Sequence, residues 1–247
     1  MADECKKFIK RAAKEQLEPL GFFQIGQTRR WVRDDGWYFT VADFSPTTNI
    51  PCAALHVYLK FLWGDSPVID SNISGIDYGR RERFRVNYEG NPESFYQSML
   101  EFCDCAKERA TEYEQFRTLG YSNFMFEKLR QSPNFSSNID PWQMWFWNCW
   151  HCAMYFYFRG RPDIGDEVMQ KFIEWRLRVD YVGISKKEEE KIRQEYMKTP
   201  EYILGKKLLD LPEDEKHPFV LARISEKRQL LRSKSSWKKL GENSVYG

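Results

Sequence analysis

Hydrophobic positions change their period along this chain, and the changes mark its elements. Residues 3 to 18 place Phe8, Ile9, Ala12, Ala13 and Leu17 on one side of an amphipathic helix, which Pro19-Leu20-Gly21 ends. Short β-like runs follow over Phe22 to Gly26, Thr28 to Arg33 and Trp37 to Ser45. Asp34-Asp35-Gly36 between the last two is a hairpin turn, because glycine accepts the positive φ it needs. From Cys52 to Trp63, Ala53, Leu55, Val57, Leu59, Phe61 and Trp63 alternate with Ala54, His56, Tyr58 and Lys60, the clearest strand pattern in the chain. Arg80 to Tyr88 predicts the last strand.

After Gly90-Asn91-Pro92 the period becomes helical. Phe95, Met99, Phe102 and Ala106 share one face of a helix spanning Glu93 to Phe116, and Leu119 to Gln131 predicts a shorter one. The stretch Asp140–Phe158 then stands apart: fourteen of the seventeen residues from Trp142 on are apolar or aromatic. A helix apolar on every side is buried on every side, so this one is expected to form the spine of a helical core. Asp140 and Pro141 suit its start, and Arg159-Gly160 supplies a cation and a left-handed cap at its end. Asp163 caps a further helix through Tyr181, with Ile164, Val168, Phe172, Trp175 and Val179 in one stripe. So short a link makes the two helices antiparallel neighbours. Beyond Ser185 the chain is charged and helix-prone, and Ser233 to Gly247 is expected to fray.

These elements predict an α+β fold. An N-terminal helix precedes an antiparallel sheet of four or five strands, and an antiparallel aromatic hairpin lies in a helical C-terminal half. The polar run Ser132–Asn138 suggests a boundary between a sheet-bearing part, residues 1–132, and a helical part, residues 139–232.

Composition refines the picture in three respects. Thirty-eight Lys and Arg against 36 Asp and Glu leave a formal charge of +2, so attraction to nucleic acid or an anionic membrane would need a local patch. The N-terminus carries charges from its third residue and no apolar signal core, which argues against secretion and for a cytoplasmic chain. Six cysteines are too few for a disulfide scaffold of this length. Cys149-Trp150-His151-Cys152 has the look of a redox or zinc motif, and Cys103 and Cys105 would have to complete a metal site. A mid-helix position denies the pair the helix N-terminus that activates such thiols, so buried, inert cysteines without metal are expected.

Phe8 to Phe22, FIKRAAKEQLEPLGF, is followed by the hairpin TRRWVRDDGWYFTVADF and the strand ALHVYLKF; later come FRTLGYSNFMFEKLRQ and the aromatic helical hairpin. Over roughly residues 5 to 62 this resembles the bacterial domain-of-unknown-function family 4304, and beyond that the order of elements is similar. The resemblance implies an α+β fold with a helical C-terminal half and supplies no reaction.

No P-loop, dinucleotide fingerprint, HExxH or nucleophile elbow is present, and three histidines leave little for acid–base chemistry. The pattern with most chemical promise lies on the sheet. Arg81, Arg83 and Arg85 share one face of the last strand, and His56, Tyr58 and Lys60 oppose the apolar side of the strand before it. If both sets face the same way they make a cationic surface suited to phosphate or carboxylate. The plainer alternative is a solvated face paired to acids of a nearby helix. The expectation is therefore a non-enzymatic interaction protein with an unidentified protein partner and no cofactor. An anion-, nucleotide- or RNA-binding domain using the arginine face is the second reading.

Overall fold

The computed structural model describes residues 2–45, 52–64, 85–131, 144–178 and 185–241. Helix α1 (Ala2–Gln16) buries Ile9, Ala12 and Ala13, and a 3-10 turn at Glu18–Leu20 ends on Gly21 at φ +84°. Five strands follow: β1 (Phe22–Gln24), β2 (Arg30–Asp34), β3 (Tyr38–Ser45), β4 (Cys52–Phe61) and β5 (Arg85–Asn87). They pair in sequence order, all antiparallel. The Asp34-Asp35-Gly36 turn forms as expected, with Gly36 at φ +92° and its N–H donating to the Asp34 carboxylate.

Helix α2 (Pro92–Glu114) is capped by the Asn91 side chain and buries Phe95, Met99, Phe102 and Ala106, the stripe seen in the sequence. It anchors one face of the sheet: the Tyr38 hydroxyl donates to the Tyr113 carbonyl at 2.8 Å, and that of Tyr113 to the Val57 carbonyl at 3.2 Å. The opposite face is also covered. Trp237 packs on Phe23 and Phe39, and the Gly26 N–H donates to the Ser236 carbonyl. The stretch from Ser233 to Leu240 is thus part of the structure, where its polar composition suggested fraying; Trp237 and Leu240 are both buried.

Helix α3 (Leu119–Arg130) leads to α4 (Met144–Phe158) and α5 (Pro162–Arg178). Every residue from Cys149 to Phe158 is buried, as an all-apolar helix requires. The expected start of α4 at Asp140 and Pro141 lies outside the described residues. Trp150 meets Phe172 and Tyr157 meets Asp166, a pairing that runs antiparallel. The helical remainder is α6 (Lys186–Tyr196), opened by a Ser185/Glu188 capping box, then α7 (Pro200–Asp210) and α8 (Glu213–Arg232). Among the described residues no helix is long and apolar enough to cross a membrane.

The chain divides into two compact units. One comprises Met1–Leu62, Val68–Ser122 and Lys227–Gly247; the other comprises Trp63–Pro67 and Asn123–Glu226. The division falls inside α3, not in the polar run 132–138. Phe126 stacks on Tyr155 at 4.0 Å, which ties α3 from Asn123 onward to α4.

Candidate functional site

The sheet residues singled out in the sequence do not form one open surface. His56 is exposed, but Tyr58 and Lys60 are 6% and 4% exposed. Arg85 opens β5 opposite Ala54 in β4, while Arg81 and Arg83 lie outside the described residues. The expected solvated row is therefore closed at two of its three β4 positions.

The cysteine motif is equally inaccessible. Cys149 and Cys152 are buried, and burial pushes both thiols far above the usual range. His151 accepts at Nδ1 from the Trp63 indole at 3.0 Å. That bond places the proton of a neutral ring on Nε2 and makes this histidine a packed core residue. Among the described residues no group of three or more His, Cys, Asp or Glu side chains is placed to hold a metal ion.

Two turn carboxylates that looked ordinary in the sequence are built into the first unit. Asp35 accepts from Arg33 Nε at 3.0 Å, Arg117 Nε at 2.9 Å and the Thr40 hydroxyl at 2.5 Å. Burial raises its pKa against the opposing pull of Arg33, Thr40 and Arg117. Asp34 receives both terminal nitrogens of Arg228 at 2.7 and 2.5 Å. These groups pair with one another within the protein and hold β2, β3 and their covering elements together.

The second unit contains a different arrangement. Asn123, Glu127 and Arg130 recur at helical spacing on one face of α3; Phe156 lies in the last turn of α4, Arg159 and Arg161 in the turn that follows, and Ile164 in the first turn of α5. Together they line a cleft of about 600 Å³. The turn that brings the arginines together is a Schellman cap, in which the Gly160 N–H donates to the Tyr157 carbonyl and the Arg161 N–H to that of Phe156. Gly160 sits at φ +66°, the left-handed conformation anticipated for it.

The three guanidiniums are not equivalent. Arg130 is held by the Glu127 carboxylate, whose pKa it lowers, and approaches Glu167 at 3.6 Å. Arg161 forms a two-bond fork with Asp163 at 3.0 and 2.8 Å and lowers that carboxyl as well. Arg159 has no hydrogen-bonded or ionic partner for its guanidinium among the described residues, and its Nε is buried. Its guanidinium carbon lies 6.0 Å from the centre of the Phe158 ring. On the cleft wall the Asn123 Oδ1 accepts from the Tyr155 hydroxyl at 2.6 Å, which leaves the amide NH₂ as a donor. The cleft thus offers one uncompensated guanidinium and one amide donor beside the apolar Phe156 and Ile164. In the sequence Arg159 read only as a cation near helix carbonyls; Arg130, twenty-nine positions earlier, gave no sign that it belonged with it.

Comparisons with protein-family models, with curated proteins and with solved structures find no match to this chain.

Proposed function

We propose that the protein is a non-enzymatic binding module whose second unit captures a carboxylate of a partner protein in the arginine cleft. One observation carries the reading: the Arg159 guanidinium is uncompensated, with a buried Nε, while its two arginine neighbours already hold carboxylates. A buried charged donor without an acceptor costs more than the roughly 1–3 kcal/mol of a neutral one, and a bound anion removes that cost. The charge balance favours a singly charged group. Glu127, Asp163 and Glu167 offset Arg130, Arg161 and Lys171, so one further carboxylate matches Arg159 with no excess.

A guanidinium fork suits a carboxylate's two oxygens, and Phe156 with Ile164 provides an apolar bed for the group that bears it. A Glu or Asp next to an apolar side chain in a partner segment fits this description. Such a contact contributes about 1.5–3 kcal/mol per charged hydrogen bond, so an isolated segment binds on the order of millimolar.

Calorimetric titration with a pool of N-acetylated peptides carrying Glu beside Phe, against the same pool carrying Gln, tests the reading. Binding of the Glu pool alone, lost in Arg159→Ala and kept in Arg232→Ala, is expected. Equal binding of both pools, or no effect of Arg159→Ala, would rule it out.

A further inference from the structure

The near-neutral charge of the chain conceals a local concentration of cations on α1. Its inner face, with Cys5, Ile9, Ala12 and Ala13, is buried in the first unit. On its outer face Lys7, Lys10, Arg11 and Lys14 are all exposed. The spacing of three, four and seven residues sets them in one stripe, along a shallow recess of about 520 Å³ that also takes in Glu15.

Glu15 and Glu18, beside this stripe, are each hydrogen-bonded to another residue, though Lys14 also contributes to lowering the Glu18 pKa. Glu15 accepts from the Tyr96 hydroxyl at 2.5 Å, and Glu18 is bonded to Lys239 at 2.7 Å. Arg11 lies 4.2 Å over the Tyr96 ring, which fixes a planar cation at the edge of the stripe. Lys7, Lys10 and Lys14 form no ion pair among the described residues.

We propose that this face of α1 docks on the phosphate backbone of nucleic acid. Lysine ammoniums are compact, rotatable point charges, suited to phosphates along a strand without reading the bases. Their steps of about 4.5–6 Å along the helix present a line of charge to a line of phosphates. A membrane surface fits less well. A helix lying on lipid inserts its apolar face, and that of α1 is already buried under the rest of its unit. The surface is separate from the arginine cleft, which belongs wholly to the other unit.

The test is fluorescence anisotropy of a short mixed-sequence DNA duplex with the full chain across a salt series. Three lysines that each neutralise a phosphate give a slope of about −3 in log K against log salt. We expect the Lys7→Glu/Lys10→Glu/Lys14→Glu variant, its fold checked by circular dichroism, to lose binding at least tenfold and flatten the slope. Arg159→Ala should bind as the wild type does. The proposal is overturned if the wild type does not bind at low salt or if the triple variant binds unchanged. Loss of binding in Arg159→Ala would also overturn it, as would preference for phosphatidylserine vesicles over the duplex.

Discussion

At the scale of single residues, the firmest features are buried charges with several partners. Asp35 is the centre of one: Arg33 beneath it is 8% exposed and also donates to the Ala110 carbonyl at 2.9 Å, linking the β2–β3 turn to α2. Removing the carboxylate leaves buried Arg33 with only the longer, more exposed contact to Glu114 at 3.6 Å, so Asp35→Ala should cost about 3–5 kcal/mol in denaturant unfolding. Asp43→Ala, which leaves the more exposed Arg30 free to turn to water, should cost less. Glu127 gives a pH dependence. Its folded pKa is depressed, chiefly by the hydrogen bond from Arg130. Its contribution is therefore present above the unfolded value of about 4.3 and is lost as pH falls through the lower folded value. Glu127→Gln should flatten the acid side of the stability profile, read as melting temperature against pH. Neither role was legible in the sequence. Asp35 carried the signature of a turn residue, and its partner Arg117 lies 82 positions away.

At the scale of elements, much more could be read. The alternation in β4, the stripe of α2 and the dense apolar run of α4 each report burial through local pattern, and each element forms. The hairpin of α4 and α5 shows what periodicity leaves out. A Cβ on Gly165 would lie 2.6 Å from the Tyr157 ring, so the two helices meet at a spot only glycine leaves open. Gly165→Ala should therefore destabilise by about 1–3 kcal/mol despite the usual helical preference for alanine, as thermal or denaturant unfolding would report. The C-terminal stretch errs in the other direction. Around Trp237 the sequence is polar and basic, with no period to signal that one indole reaches Phe23 and Phe39. Trp237→Ala should cost about 3–5 kcal/mol, whereas an exposed tail would tolerate it without change.

For the molecule as a whole, a net charge near zero requires any anion binding to be local, and the described residues hold two local clusters of cations of different character. The lysine stripe on α1 is periodic, and its residues stand in the sequence in plain view. The arginine cleft is not periodic: α3, the end of α4 and the start of α5 converge to make it, and only the fold brings Arg130 and Arg159 to one place. The sheet face chosen from the sequence rested on a sound two-residue alternation. Alternation reports which side a residue takes and not whether that side is covered, as Tyr58 and Lys60 illustrate. Whether Arg159 takes a carboxylate is read directly from its Nε–H resonance in a ¹H–¹⁵N spectrum. Titration with the Glu-bearing peptide pool should shift that signal with saturation, while the Gln pool leaves it in place. A signal that does not move, or that moves equally with both pools, would contradict capture of a carboxylate by Arg159.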